Sequence, residues 1–584
     1  MRAAAPVAFL LLVLFALPAA AQQQPYIETF ELRLHNFDVV VTDAKGQPVR
    51  GLTQADFVVI EDGAEKPITN FSAYDLTSGT TTATSSAKST TVAVATAAPA
   101  PPPRRFVFFI DDLDVQRMTR DRLIRNAAQL LGAMREGDTA TVIRPTAEQK
   151  IVQEFTSDRA ALERALREAI NASSDNSGQK AEIRQLQWRI KTAGNALMRD
   201  LARRDYVFAA RRRVEHRLGQ LRALTSSLGE YEGRKVVVLV SMGLSTKPGN
   251  EAYEFLPEIM RGEHSGLAPQ VVDEDRGTVD FDALADTSSD PQSERATSTA
   301  GDYTTRIADI ARAAAANGVT IYALEPDVTN LIGTGRRGGA EHATKRGGDG
   351  VDPNQVLPHD FQTDLLTNSA MTLTSLTEKT GGRWFRGIGS IDDIFQQVTQ
   401  DAGTYYSLAI RATGEETKPR RVEVQVRNRP ELRVRTRTEV IEKTTSREME
   451  DLVVASLIYP RKVNELAIDV AAGTPEPERG YARIPLDITI PTEKLTFLEN
   501  GDGNFVATFD VHFAAAGQER DFISGGKQQQ RIVLTPEQYG RAEGAVYHYK
   551  TGILVSPGRA RIAIGVLDTT TSLTGFKSVD VVAK

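Results

Sequence analysis

Short apolar and alternating runs open the chain: Phe30-Glu31-Leu32-Arg33-Leu34, Val39-Val40-Val41, Phe57-Val58-Val59-Ile60 and Ile68 to Tyr74. Turn signals separate them, Asp43-Ala44-Lys45-Gly46 with Pro48 and then Glu61-Asp62-Gly63, so residues 26–76 are expected to form a small antiparallel β-unit. Residues 77–103 are almost wholly Thr, Ser, Ala and Pro, ending Pro99-Ala100-Pro101-Pro102-Pro103. Such a stretch buries too little apolar surface to offset its ordering entropy and reads as a linker, extended toward its proline end.

From residue 104 the pattern changes to alternating strands and helices. Phe106 to Ile110 is continuously apolar, as a strand buried on both faces should be. Residues 119–135 place Leu123, Ala127, Leu130, Leu131 and Met134 on one helical face. Thr139 to Arg144 and Ile151 to Phe155 read as short strands, and Ser157 or Asp158 can cap a helix carrying Leu162, Leu166 and Ile170. Strands follow at Val236 to Val240 and Val319 to Leu324, with a helix at 304–317 closed by Gly318. A helix at 365–380 ends at Gly381-Gly382 and leads into Arg383-Trp384-Phe385, and a last one at 391–401 precedes a strand at 404–411. The alternation predicts a doubly wound α/β sheet within residues 104–440.

Three insertions interrupt that domain. Residues 180–228 are expected to be helical, with Ile183, Leu186, Ile190, Ala193, Leu197, Leu201, Phe208, Val214, Leu218 and Leu221 near heptad spacing and one break near Asp205. Between 180 and 222 stand 12 Lys/Arg against 4 Asp/Glu, a local excess that suits an acidic polymer or anionic lipid, or a solvated helix packed on the α/β domain and the acidic loops. Residues 246–300 are polar and acidic, and 326–362 are rich in Gly, Pro and charge; both read as surface loops. After 413 the helices stop. Residues 421–427 and 432–437 alternate as edge strands with arginines on one face, and strands such as 482–490, 505–513, 530–534, 545–555 and 559–567 predict a β-sandwich over 450–584.

Length and composition narrow the class. The 584 residues allow several domains at roughly 100 to 200 residues each. With 41 % hydrophobic residues and a formal charge of −6, the chain is neither disordered nor drawn globally to nucleic acid. Cysteine is absent, which excludes disulfide frameworks, thiolate metal sites and cysteine nucleophiles. Arg2, the apolar run Val7 to Leu17 and Pro18-Ala19-Ala20-Ala21 predict a signal peptide over 1–21. No later stretch is apolar for long enough to span a bilayer, so the expectation is an exported protein, periplasmic or extracellular, without a transmembrane segment after cleavage.

Candidate chemistry concentrates at Asp111, Asp112 and Asp114, at the carboxyl end of the first α/β strand, where open α/β sheets bind ligands. Three carboxylates suit a hard cation such as Mg²⁺ or Ca²⁺; they also suit a solvated helix cap, and the residues alone leave both open. The order of elements from Arg104 to about Arg411, with Phe106 to Asp111, Lys235 to Ser241, Thr380-Gly381-Gly382 and Tyr405-Tyr406, resembles a von Willebrand factor type A domain. More narrowly, Val39-Val40-Val41-Thr42-Asp43, Gly46, Val49, Gly51-Leu52, Asp56-Phe57, Glu61-Asp62-Gly63, Asp111-Asp112-Leu113 and Gly233-Arg234-Lys235 through Ser241-Met242-Gly243 resemble the von Willebrand factor A-related secreted proteins of Acidobacteria and similar soil bacteria.

The resemblance implies a Rossmann-like sheet and a metal-ion-dependent adhesion site built on Asp-x-Ser-x-Ser, a later Thr and an Asp. Asp111 matches the first position. Leu113 and Val115 replace both serines, and Ser241-Met242-Gly243 stands where the family has Thr-Asp-Gly. Two hydroxyl ligands are lost, and a thioether is a poor ligand for Mg²⁺. The site is therefore expected to be degenerate, no cofactor is expected, and Mg²⁺ or Ca²⁺ would depend on Asp111, Asp112 and Asp114.

Asp112-Leu113-Asp114 with Ser241 is also similar to haloacid dehalogenase-type phosphatases, whose two aspartates act as nucleophile and general acid. The Gln116 position and the missing lysine–acid pair argue against it. The seven histidines have no metal-ligand spacing, Gly333 to Gly350 lacks a Gly-Lys-Ser/Thr sequence, and Glu499 to Asn504 reads as a tight turn rather than a calcium loop. The expected function is exported, non-catalytic recognition of a protein or cell-surface ligand. A cation-dependent adhesion domain is the first alternative and a phosphatase the second.

Overall fold

The computed structural model describes residues 34–76, 102–145 without 112–114 and 116, 150–172, 185–249 without 187, 191, 194 and 242, and 252. It further describes 303–326, 370–412 and 418–583 without 460, 462 and 518–521. The expected signal peptide, the linker, and most of the loops at 246–300 and 326–362 lie outside the described residues.

The first strands are β1 (Leu34–Thr42), β2 (Phe57–Glu61), β3 (Ala64–Lys66) and β4 (Ile68–Asp75). Asp62 and Gly63 both have positive φ in the turn joining β2 to β3. The α/β sheet comprises β5 (Arg104–Ile110), β6 (Thr139–Arg144), β7 (Lys150–Thr156), β8 (Arg234–Val240), β9 (Val319–Glu325) and β10 (Trp384–Arg386). Its order is β7-β6-β5-β8-β9-β10, parallel throughout except for the edge strand β7. In chain order this is 3-2-1-4-5-6, the doubly wound arrangement.

Alternate residues of β5 face opposite layers. Phe106, Phe108 and Ile110 pack with α1 (Arg117–Gly132) and α2 (Arg159–Asn171), while Val107 and Phe109 pack with α3 (Ala196–Ser227) and α4 (Thr304–Ala316). Asp158 caps α2, accepting from the backbone N–H groups of Ala160 and Ala161. Helical residues 370–379 (α5) and α6 (Ser390–Gly403) complete the two layers. A Cβ on Gly382 would lie 1.9 Å from the Ile321 carbonyl oxygen, which is why glycine follows α5 where the chain passes against β9.

The remaining strands of the 104–440 segment pair elsewhere. These are β11 (Thr404–Arg411), β12 (Arg420–Val426), β13 (Arg433–Arg435) and β14 (Glu439–Val440). They interleave with the opening strands in two four-stranded sheets, β13-β1-β11-β4 and β14-β12-β2-β3. Phe37, Val39, Phe57, Val59, Phe71, Tyr406, Leu408, Val422 and Val424 fill the space between them. The small β-unit expected over 26–76 is thus half of a sandwich, and the α/β domain is inserted between β4 and β11. β12 lies inside its sheet rather than at the edge expected for it. Alternation reveals which face of a strand is buried but not which sheet receives it.

Of three charged clusters, the first ties the sandwich to the inserted domain, the second lies within the inserted domain and the third within the sandwich. Asp401 on α6 is fully buried and accepts from both Nη atoms of Arg435 at 2.8 Å, from the Tyr322 hydroxyl at 2.6 Å and from Gln397 Nε2 at 2.8 Å. Asp138 accepts from the backbone N–H of Arg104 and from its Nε and Nη2, while Arg104 Nη1 donates to Ala402 O. His35 sits beside Arg420 and Glu442.

The C-terminal part starts with a helix where the sequence pattern suggested strands. α7 (Thr445–Ser456) is capped by Thr444 and sets Met449 and Val453 against Ala514, Ala563, Leu567 and Phe576. Its Asp451 pairs with Arg222 of α3 at 2.8 Å and with Lys443 at 2.9 Å. Against the opposing effect of burial, Lys443 and Arg222 hold this carboxyl below the usual range. The sandwich itself is formed by β15 (Asp469–Ala472), β16 (Glu476–Glu478), β17 (Tyr481–Pro491) and β21 (Val546–Val555) on one side. The other side holds β18 (Leu498–Glu499), β19 (Phe505–Ala516), β20 (Phe522–Leu534), β22 (Gly558–Asp568) and β23 (Thr574–Ala583). Asn500 Oδ1 accepts from the N–H groups of Asp502 and Asn504, closing a tight turn between β18 and β19.

Two buried histidines make stability pH-dependent. Burial, with Lys527, pushes His512 below its ordinary value of 6.5, and burial with Arg437 and Arg420 does the same for His35. The folded state keeps both neutral, so their contribution is present above pH 6.5 and is lost as pH falls from there through the folded values. Urea midpoints should be level from about pH 8 to 7 and decline below about 6.5, with a shallower decline in His512→Leu. A midpoint unchanged down to about pH 5 would contradict this assignment.

Candidate functional site at the carboxyl edge of the α/β sheet

β5 delivers Asp111 to the edge of the sheet, where its N–H donates to Val240 O at 2.8 Å. β8 delivers Ser241 beside it, with the Ser241 N–H on Leu324 O. The Ser241 hydroxyl donates to Asp111 Oδ2 at 2.7 Å and accepts from the Gly243 N–H at 3.0 Å. Asp111 is only 3 % exposed. Its other oxygen, Oδ1, lies 3.3 Å from Nε of Arg217.

Arg217 reaches this carboxylate because of how α3 is seated. Val214, Leu218, Leu221 and Leu224 pack on Val107, Phe109, Val237 and Leu239, and Arg217 falls on the same face, about one turn from Val214 and Leu221. A 32-residue helix is about 48 Å long, while a seven-residue strand is about 23 Å. The half of α3 before Val214 therefore runs on past the carboxyl edge, where Ala202, Tyr206, Val207 and Ala210 pack with Leu186, Ile190 and Ala252. The helix is continuous through Asp205, which pairs with Arg189 at 2.9 Å. Leu197, Leu201 and Phe208, expected on the packed face, are exposed instead.

Of the three carboxylates singled out in the sequence, Asp111 stands at the site, and Asp112 and Asp114 lie outside the described residues, as does Met242. Val115, where the resemblance would have a serine, is buried in the apolar cluster beneath the sheet. Among the described residues, no group of three His, Asp or Glu side chains is placed to hold a metal ion. The donor set that is described, one carboxylate and one hydroxyl beside a guanidinium, does not fit a divalent cation, since the cation would face a like charge. Arg217 was not anticipated as a site residue. The signal for it was a lone arginine on the face of a helix otherwise set by Val214, Leu218 and Leu221. A second ion pair lies along the same edge, where fully buried Glu325 at the end of β9 accepts from Arg386 Nε at 2.9 Å.

No protein-family model matches the sequence, and no curated protein matches it. Solved structures to which the chain is similar include a von Willebrand factor type A protein from Catenulispora acidiphila, at 8 % identity and a TM-score of 0.23 over 71 % of this chain and 75 % of that one. The vWF domain of the type V pili tip protein Mfa5 from Porphyromonas gingivalis shares 12 % identity, with a TM-score of 0.21 over 55 % of this chain and 99 % of that one. The conserved hypothetical protein BatB from Bacteroides thetaiotaomicron shares 10 %, with a TM-score of 0.19 over 52 % and 98 %. The likeness is faint in every case.

Proposed function

We propose that the chain is an exported, non-catalytic interaction protein whose α/β domain is of the von Willebrand factor type A kind, with a degenerate metal-ion-dependent adhesion site. The observation that carries this reading is the pairing of Asp111 with Arg217 and Ser241. The guanidinium supplies from within the chain the positive charge that the carboxylate would otherwise take from a cation. Recognition of a protein or surface ligand is then independent of divalent metal and uses the carboxyl edge together with the protruding half of α3. Neither nucleophile nor general base stands free at Asp111 or Ser241, since each is engaged in the same hydrogen-bonded chain, which supports a binding role over phosphoryl transfer.

The test is affinity capture from the envelope fraction of the source organism, with the whole chain as bait, in EDTA and in Mg²⁺ buffer. The same proteins should be retained in both, and should be lost with Leu201→Glu and Phe208→Glu on the exposed side of α3. Retention that requires Mg²⁺, or that survives both substitutions, contradicts the proposal.

A further inference from the structure

The protruding half of α3 carries an apolar stripe. Among the described residues, Leu197, Leu201 and Phe208 are 62 %, 41 % and 67 % exposed. At about 100° per residue, these three and Arg204 fall within an arc of about 60°, along a line about 17 Å long. Ala202, Tyr206 and Ala210 lie on the opposite face, buried in one cluster with Leu186 and Ile190, so the stripe is turned away from the packing that holds this half of the helix. It ends at Glu215, which accepts from the Tyr303 hydroxyl at 2.8 Å and pairs with Arg306 at 3.3 Å where the helix rejoins the domain.

Arginine borders the stripe. Phe208 has Arg204 four residues before it and Arg211 and Arg212 three and four residues after it, the spacings that make side chains neighbours on a helix. Arg204 and Arg212 are exposed. Residues 185–213 hold eight Lys/Arg against two Asp. Both aspartates are matched within the segment, Asp200 at 2.8 Å from Arg204 and 4.0 Å from Arg203, and Asp205 at 2.9 Å from Arg189. Positive charge stays in excess after these pairs are counted. The stripe is the convex flank of one helix rather than a groove, so it offers a folded partner no pocket for an anchoring side chain. A headgroup layer can close around such a ridge, taking apolar side chains to the acyl boundary while arginine stems lie along them and the guanidinium heads reach the phosphates.

We infer that this flank of α3 docks on an anionic phospholipid surface, with Leu197, Leu201 and Phe208 entering the headgroup layer and Arg204, Arg211 and Arg212 meeting its phosphates. The membrane is met from one side: among the described residues no helix is long and apolar enough to cross it. The inference rests on the proposed use of the protruding half of α3 for recognition and names the surface recognised.

The test is flotation of the whole chain with vesicles of phosphatidylglycerol and phosphatidylcholine in equal parts, and with phosphatidylcholine alone, in EDTA and about 0.1 M NaCl, where charge acts over about 10 Å. The wild-type chain should bind the anionic vesicles about tenfold or more above the neutral ones. Leu201→Glu and Phe208→Glu should each lower that affinity about tenfold, and Arg212→Gln about fivefold. Leu498→Glu, at a comparably exposed leucine of β18, should leave it unchanged. All four positions are exposed, so the substitutions spare the core. No flotation of the wild-type chain with anionic vesicles overturns the inference, as does flotation equal with neutral vesicles or in Phe208→Glu. Should the vesicles stay unbound while envelope proteins are still captured through α3, the surface recognised is a protein and this inference alone falls. Capture that survives Leu201→Glu and Phe208→Glu removes the reading beneath it.

Discussion

Asp401→Asn is expected to lower the stability of the chain by about 3–5 kcal/mol, the cost of leaving a buried charge without its partner. Asp401 is fully buried and receives four hydrogen bonds from three elements: Arg435 of the N-terminal sandwich, Tyr322 of the central sheet and Gln397 of its own helix. Asparagine keeps the shape but has one oxygen instead of two, and its amide N–H groups would face the Arg435 guanidinium. Arg435 is mostly withdrawn from solvent, with a 19 % exposed side chain, so its charge cannot simply be rehydrated. Urea denaturation followed by the fluorescence of Trp384, on the neighbouring strand β10, measures the loss. Asp401→Asn combined with Arg435→Met should recover part of it, because the uncompensated charge is removed. A loss below about 1 kcal/mol, the range of an exposed ion pair, would show that this cluster does not hold the sandwich to the α/β domain.

Arg217→Met is expected to cost about 3 kcal/mol by the same logic at the carboxyl edge. Methionine preserves most of the packing of the arginine stem, so the loss reports on the charge. Asp111 would retain Ser241 as a donor but would have lost the guanidinium beside Oδ1. Adding Asp111→Asn should restore stability toward the wild-type level, giving a coupling of about 2 kcal/mol in a double-mutant cycle. Additive losses in the two single variants would mean that the pair is incidental and that α3 is held by its apolar face alone.

The layers of the α/β sheet were legible because their signals are local. Phe106 to Ile110 and Val236 to Val240 are apolar at every position, and only a strand covered on both faces tolerates that. Asp158 and Gly318 marked helix ends through their own backbone chemistry, as a cap and as a positive-φ residue. What could not be read was partnership across long separations. Thr404–Arg411 follows a helix in sequence and so reads as part of the α/β domain, yet Thr404 pairs with Asp75 and Tyr406 with Ala73, because the inserted domain returns the chain beside the strand it left. The pattern does not reveal α7 because Leu452, Val453 and Val454 form a short apolar run with two β-branched residues, while its helical face is set by Met449 and Val453 packing on a sandwich more than 60 residues later. Arg217 escaped for a similar reason: its role exists only once α3 is laid across β5.

The claim on which this reading depends is that Arg217 occupies the electrostatic place of a metal ion at Asp111. Calorimetric titration of the whole chain with Mg²⁺, Mn²⁺ and Ca²⁺ tests it most directly. The account predicts no saturable heat with any of the three in the wild-type chain; one-to-one binding that disappears in Asp111→Ala would contradict it.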